Sequence, residues 1–124
     1  MTALEVVGMK PKGVSIDSKG NVVVADRGNN RIQVFDVNGR FISAITCTVP
    51  NQDLQIPISV SVGPDNSIYV VEYGSRRVSI FDHNRKYIKS FGNKEDESIY
   101  CVAVNDKGYI YISDADGKKI HVFK

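Results

Sequence analysis

The chain has 124 residues, 42% of them apolar and 24% charged, a composition that excludes a disordered or fibrous segment and fits one globular domain. No apolar run approaches the roughly 20 residues of a membrane helix, and the start, MTALEVVG, lacks the basic head and apolar stretch of a secretion signal, so a cytoplasmic protein is expected. A net charge of +2 is too small to mark a nucleic-acid binder by bulk electrostatics, and Cys47 and Cys101, without metal-ligand spacing, read as free thiols.

The first predicted element is a short outer-type strand over 3–8, ALEVVG. Four runs follow, at about 13–17, 21–25, 31–36 and 40–45, each rich in Val, Ile or Phe and bounded by Gly, Asn or Asp, as strands are. The intervening SKG, RGNN and VNG are hairpin turns, where Gly and Asn accept positive φ. After the connection TCTVPNQDLQIP (46–57) the pattern returns: PISVSVGPDNSIYVVEYGSRRVSIFD from Pro57 aligns with the block from Pro11. IYCVAVNDKGYIYISDADGKKIHVFK from Ile99 aligns again. The repeats are about 9–45, 55–91 and 97–124. The first two end on a fourth run, FISAI and YIKSF; the third stops after KIHVF.

Four-stranded meanders repeating every forty-odd residues point to propeller blades. Pro11, Gly13, Val14, Asp17, Gly20, VVVAD (22–26), NNRIQVFD (29–36) and NGRFI (38–42) make the chain resemble the NHL-repeat propellers, most of all the NHL domain of tripartite-motif proteins. The third unit departs from the pattern, having lost the Pro and the first Gly. The resemblance implies an all-β propeller of four-stranded blades, three per chain, half of a six-bladed ring. Strand 3–8 then completes a last blade. Rings suit about four to eight blades, so either two copies close a ring as a homodimer or the chain is part of a longer protein.

Alternating strand direction places the second-to-third turns and the connections leading into each blade at one end, the upper face. It carries DRGNNR (26–31), EYGSRR (72–77) and DADGKK (114–119). An acid followed five residues later by a base recurs in all three: Asp26 with Arg31, Glu72 with Arg77, Asp114 with Lys119. Recurrence marks these pairs as turn clamps, the carboxylate accepting turn N–H groups and pairing with the cation. What varies between the ends, together with lysines of the first connection, supplies the candidate binding residues: Arg27, Asn29, Asn30, Tyr73, Arg76, Lys118, Lys10 and Lys12.

Three functions compete. Catalysis is not expected: the inner strands GVSID, SVSVG and CVAVN converge no His and no carboxylates, His83 reads as a solvated turn residue and His121 as a sheet residue, and no metal or cofactor is implied. The resemblance implies RNA binding as one alternative, through Arg, Lys, Asn and Tyr of the upper face. The three upper turns and the connections 9–12, 46–57 and 92–98 nevertheless sum to only +1, with Glu95, Asp96 and Glu97 opposing a polyanion. Protein recognition is the preferred reading. Val49 and Leu54, apolar in the longest upper connection, are expected to be exposed and to meet a partner peptide.

Overall fold

The computed structural model describes residues 6, 8–49, 52–92, 98–116 and 118–124. Blade 1 is an antiparallel meander of β1 (Pro11–Ile16), β2 (Val22–Asp26), β3 (Arg31–Phe35) and β4 (Phe41–Ile45). A small hairpin, β5 (Cys47–Val49) with β6 (Gln52–Asp53), leads to blade 2: β7 (Pro57–Val62), β8 (Ile68–Glu72), β9 (Arg77–Phe81) and β10 (Tyr87–Gly92). Blade 3 shows β11 (Ile99–Val104), β12 (Ile110–Asp114) and β13 (Lys119–Phe123). The fold is thus an arc of a β-propeller, and the first-unit strands lie within two residues of their predicted bounds. Of the predicted strand 3–8, only Val6 and Gly8 fall among the described residues.

The second and third strands of blade 2 are apolar on both faces because both faces are covered. Val23, Ala25, Ile32, Val34 and Ile45 of blade 1 pack on Val60, Ile68, Val70 and Phe81 of blade 2. Val71 and Val78, from the other face of blade 2, pack on Val102, Ile110 and Ile112 of blade 3. Serines on the inner strands join neighbouring blades at equivalent points: the Val62 N–H donates to Ser15 Oγ and the Val104 N–H to Ser61 Oγ, both at 3.1 Å. Leu54 corrects an expectation. It is 1% exposed and belongs to the core between blades 1 and 2, because an apolar side chain in a polar loop gains more from the blade seam beneath it than from solvent. It offers no docking surface. The Val49 side chain lies outside the described residues.

One turn is used five times on the lower face. In Asp17–Asn21, Asp36–Arg40, Gly63–Ser67, Asp82–Lys86 and Asn105–Tyr109 the first and fifth residues pair, and the fourth N–H donates back to the first carbonyl. This is a type I turn followed by a left-handed residue. Asp17, Asp36, Asp82 and Asn105 each cap two backbone N–H groups of their own turn. The left-handed position is Gly39 (φ 82) in blade 1 and Arg85 (φ 66) in blade 2. A side chain there adds a steric cost that glycine avoids.

Candidate upper-face interface

Each second strand ends on a carboxylate that is sealed from water: Asp26 and Glu72 are 0% exposed and Asp114 is 2% exposed. Burial of an acid requires donors: each takes one backbone N–H from the segment leading into its blade, and side chains of the turn and third strand supply the rest. The Lys10 N–H donates to Asp26 Oδ1 at 2.8 Å, the Gln55 N–H to Glu72 Oε1 at 2.9 Å and the Ser98 N–H to Asp114 Oδ1 at 3.4 Å. The turns answer with their own N–H groups, Gly28 to the Lys10 carbonyl, Gly74 to that of Gln55 and Ala115 to that of Ser98. The clamp therefore stitches each upper turn to its lead-in loop.

The bases behave as the spacing suggests in two units of three. Arg31 Nε lies 2.8 Å from Asp26 and Arg77 Nε 2.8 Å from Glu72. In the third unit, Asp114 pairs with His121, Nε2 to Oδ2 at 3.1 Å, while Lys119 stands across the strand pair with an exposed side chain. The reason is a third recurring position, seven residues beyond the acid. Gln33 Nε2 reaches Asp26 at 3.1 Å, Ser79 Oγ bonds Glu72, and His121 takes that place in blade 3. One signal for it is legible: each third strand, RIQVF, RVSIF and KIHVF, carries a single polar residue at its centre. Three different residue types hide the recurrence from alignment.

Burial alone would raise the carboxyl of Asp26. The hydrogen bonds from the Lys10 N–H, Arg31 and Asn29, with the Arg31 charge, outweigh it and hold Asp26 below the usual carboxylate value. Asp17 is lowered in the same way, its burial outweighed by bonds from Asn21 and Lys19. The Ser67 N–H is the main cause of a lowered Asp65. These shifts run opposite to those of a general acid held protonated near neutrality. No cluster of three or more His, Cys, Asp or Glu able to hold a metal is found among the described residues. A cleft of about 490 Å³ opens on the lower face between blades 1 and 2. Asp17 and Asp65 on its wall are already occupied as turn caps.

The predicted binding residues divide into two groups. Asn29 and Asn30 are engaged in the scaffold: the Asn29 amide donates to the Gly8 carbonyl at 2.6 Å and to both Asp26 oxygens, and Asn30 Oδ1 accepts the Ile56 N–H at 2.9 Å. Asn30, Arg76 and Lys118 hold the same turn position, all left-handed with φ of 51, 54 and 53. Lys10, Lys12, Arg27, Arg76 and Lys118 are exposed. A Cβ on Gly28 would meet the Lys10 side chain at 2.5 Å, which places Lys10 directly over the turn that begins at Arg27. Tyr73 is 42% exposed and rests against Tyr100, 41% exposed, with ring centroids 5.7 Å apart. Sequence reasoning missed Tyr100, whose place beside the turn depends on how blade 3 docks on blade 2. Glu95, Asp96 and Glu97 lie outside the described residues.

Comparison with known proteins agrees with this architecture. Residues 9–35 match the NHL repeat family model. The same region is similar to the E3 ubiquitin-protein ligase TRIM71 of Bos taurus, 62% identical over 32 residues, which are 26% of this chain and 4% of that protein. Protein lin-41 of Caenorhabditis elegans is 56% identical over 34 residues, 27% of this chain and 3% of that protein. Protein brain tumor of Drosophila melanogaster is 47% identical over 32 residues, 26% of this chain and 3% of that protein. The matched stretch is thus a few per cent of each relative's length. Among solved structures, a streptogramin B lyase superposes with a TM-score of 0.75 at 16% identity, over 98% of this chain and 42% of the lyase. The WD40 repeats of RRP9 superpose at 0.80 with 14% identity, over 97% and 37%. At such identities the likeness concerns the fold alone.

Proposed function

We propose that this propeller arc, which carries an NHL repeat, is a non-catalytic recognition module that docks an acidic segment of a partner protein on its upper face. One observation carries the reading. Three acids of that face, Asp26, Glu72 and Asp114, are buried as clamps, while Lys10, Lys12, Arg27, Arg76 and Lys118 are exposed. The lysines and Arg27 at the blade 1 lead-in and turn form a local cluster of exposed cations, above an Asp26 whose charge is already met by Arg31. Asp53 and Asp116 are exposed acids on the same face, so the field is local to the blade 1 cluster and the blade 2 turn. Rigid scaffolds presenting variable loops suit such docking. In a longer parent beside a ubiquitin-ligase domain, the module would select substrates.

RNA is the second reading, favoured by the exposed Tyr73–Tyr100 pair, which could stack a base beside Arg76. The test titrates the chain with a fluorescent acidic peptide and with single-stranded RNA across a salt series, using Lys10→Ala, Lys12→Ala and Arg27→Ala combined. The protein reading expects peptide binding that the triple variant weakens. RNA binding with a steep salt slope, and none of the peptide, refutes it.

The assembly reading is a homodimer. Val14 and Ile16 on blade 1, each 65% exposed, and Ile120 and Val122 on blade 3, 59% and 55% exposed, present apolar blade faces that need cover in water. A second copy of the chain would supply it. A light-scattering mass of the 13.7 kDa single chain, with a cooperative melt, rules the homodimer out.

A further inference from the structure

We infer that the cleft of about 490 Å³ on the lower face between blades 1 and 2 binds a small monocarboxylate, with Arg85 as the group that receives its charge. The site lies at the opposite end of the blades from the upper-face interface and is independent of the docking reading. Its volume falls within the roughly 300–1,000 Å³ of small-molecule sites.

Backbone strain singles out this cleft. The five lower turns hold their fourth residue in the left-handed region: Gly20, Gly39 and Gly108 at φ 83, 82 and 85, but Asn66 at 64 and Arg85 at 66. Both residues that stand in place of glycine line the same cleft. Asn66 has a structural use there. The Ser18 N–H donates to its Oδ1 at 3.0 Å and its Nδ2 donates to Ser18 Oγ at 2.7 Å, which ties the turn of blade 1 to that of blade 2. Arg85 has none: its half-buried side chain makes no hydrogen bond or ion pair among the described residues. A left-handed arginine costs stability that glycine would spare, and strain that no internal contact of the side chain offsets marks functional positions.

The open hydrogen-bonding capacity of the walls lies with Arg85. Asp17 Oδ1 accepts the Lys19 and Asn21 N–H groups and its Oδ2 accepts Asn21 Nδ2, 2.9 Å each, while Asp65 Oδ1 accepts the Ser67 N–H at 3.1 Å. The Asn66 amide is committed to Ser18. Arg85 remains, with the Asn84 amide beside it in the turn. A guanidinium presents a planar fork of N–H groups that matches a carboxylate in bidentate fashion. Lys19 offsets the charge of Asp17, yet the two acids on the walls repel a polyanion. Val23, Val34 and Ile68 form an apolar floor that takes a short hydrocarbon body. One carboxylate on a short apolar chain fits these walls, whether on a free acid or at the C-terminus of a peptide ending in an apolar residue.

The test uses the full chain with 4-methylpentanoate as the free acid and N-acetyl-alanyl-leucine as the chain end, each paired with its uncharged amide, and binding read by calorimetry. Losing a charge-assisted hydrogen bond corresponds to about tenfold or more in affinity, so at least one acid should bind about tenfold or more tighter than its amide. A larger preference for the first identifies a free acid as the ligand, and for the second a chain end. Arg85→Gly should abolish the preference while raising the melting temperature, and Arg85→Gln should abolish it with the melt still cooperative. Lys86→Ala, an exposed cation of the same turn outside the cleft, should leave it unchanged. Equal binding of acid and amide, binding of neither acid, or a preference that survives both Arg85 variants overturns the site and leaves the upper-face reading untouched. A melting temperature lowered by Arg85→Gly also overturns it, because the side chain then serves the turn.

Discussion

Replacing Asp26 by Ala should be among the most damaging single substitutions available on the upper face. The carboxylate accepts from the Lys10 N–H at 2.8 Å, Arg31 Nε at 2.8 Å, Asn29 Nδ2 at 3.0 Å and Gln33 Nε2 at 3.1 Å. Arg31 and Asn29 can turn to water. The buried Gln33 amide and the Lys10 N–H cannot do so without opening the loop, and each deprived group costs about 1–3 kcal/mol. Together with the lost ion pair, the expected destabilisation is about 3–5 kcal/mol, a large share of the roughly 5–15 kcal/mol available to a domain. In urea, with a slope of about 2 kcal/mol per molar, the midpoint should fall by about 2 M at unchanged slope. Asp36→Ala is the control, because that carboxylate also accepts two N–H bonds but on an exposed turn; it should lose about 1 kcal/mol. If Asp26→Ala costs no more than Asp36→Ala, the buried clamp is not what holds the loop to the turn. The pH dependence has a defined sign. The folded value of Asp26 is depressed, so its contribution is complete above the unfolded carboxyl value near 3.8 and is lost as pH falls toward the lower folded value. Asp26→Asn should therefore flatten the loss of stability below about pH 4.

Other substitutions probe the rest of the scaffold. Arg85→Gly, copying Gly39 at the same left-handed turn position, should stabilise by about 0.5–1 kcal/mol, read as a rise in melting temperature; a fall would show that the arginine side chain holds the turn. Leu54→Ala should cost about 2–5 kcal/mol in urea unfolding, since Leu54 is 1% exposed, and a neutral result would return it to the surface. Ser75 Oγ is buried without a hydrogen-bond partner among the described residues, so Ser75→Ala should gain up to about 1 kcal/mol, and a loss in the same unfolding assay would point to a bond the hydroxyl makes in solution.

Repetition made the fold legible. Three aligned copies of an alternating pattern fix strand number, order and register because a slip of one residue would turn every apolar side chain outward. Four of the five lower turns were equally readable, since Asp or Asn at the first position states its own geometry; the fifth begins with Gly63. Side chains whose role depends on a neighbour in space were harder to place. Leu54 looked exposed in TCTVPNQDLQIP until the seam between blades 1 and 2 lay beneath it. Asn29 and Asn30 varied between units and so looked available, yet each is held in a scaffold contact, Asn29 with Gly8 and Asn30 with the lead-in of blade 2. Lys119 and His121 lie on the same side of their strand, and spacing alone does not tell which of the two meets the acid; here it is His121, at the place of Gln33 and Ser79.

The buried stitch between each turn and its lead-in loop also makes the upper face interchangeable by parts. Asp26 to Arg31 and Glu72 to Arg77 enclose the same number of residues, with the left-handed position in the same place. What lies between the two ends can thus be exchanged between blades as a cassette wherever its side chains are not themselves scaffold contacts, as Asn29 and Asn30 are in blade 1. Selection, or an engineer, can rewrite what such a face recognises one blade at a time while the acids beneath keep the loops in register.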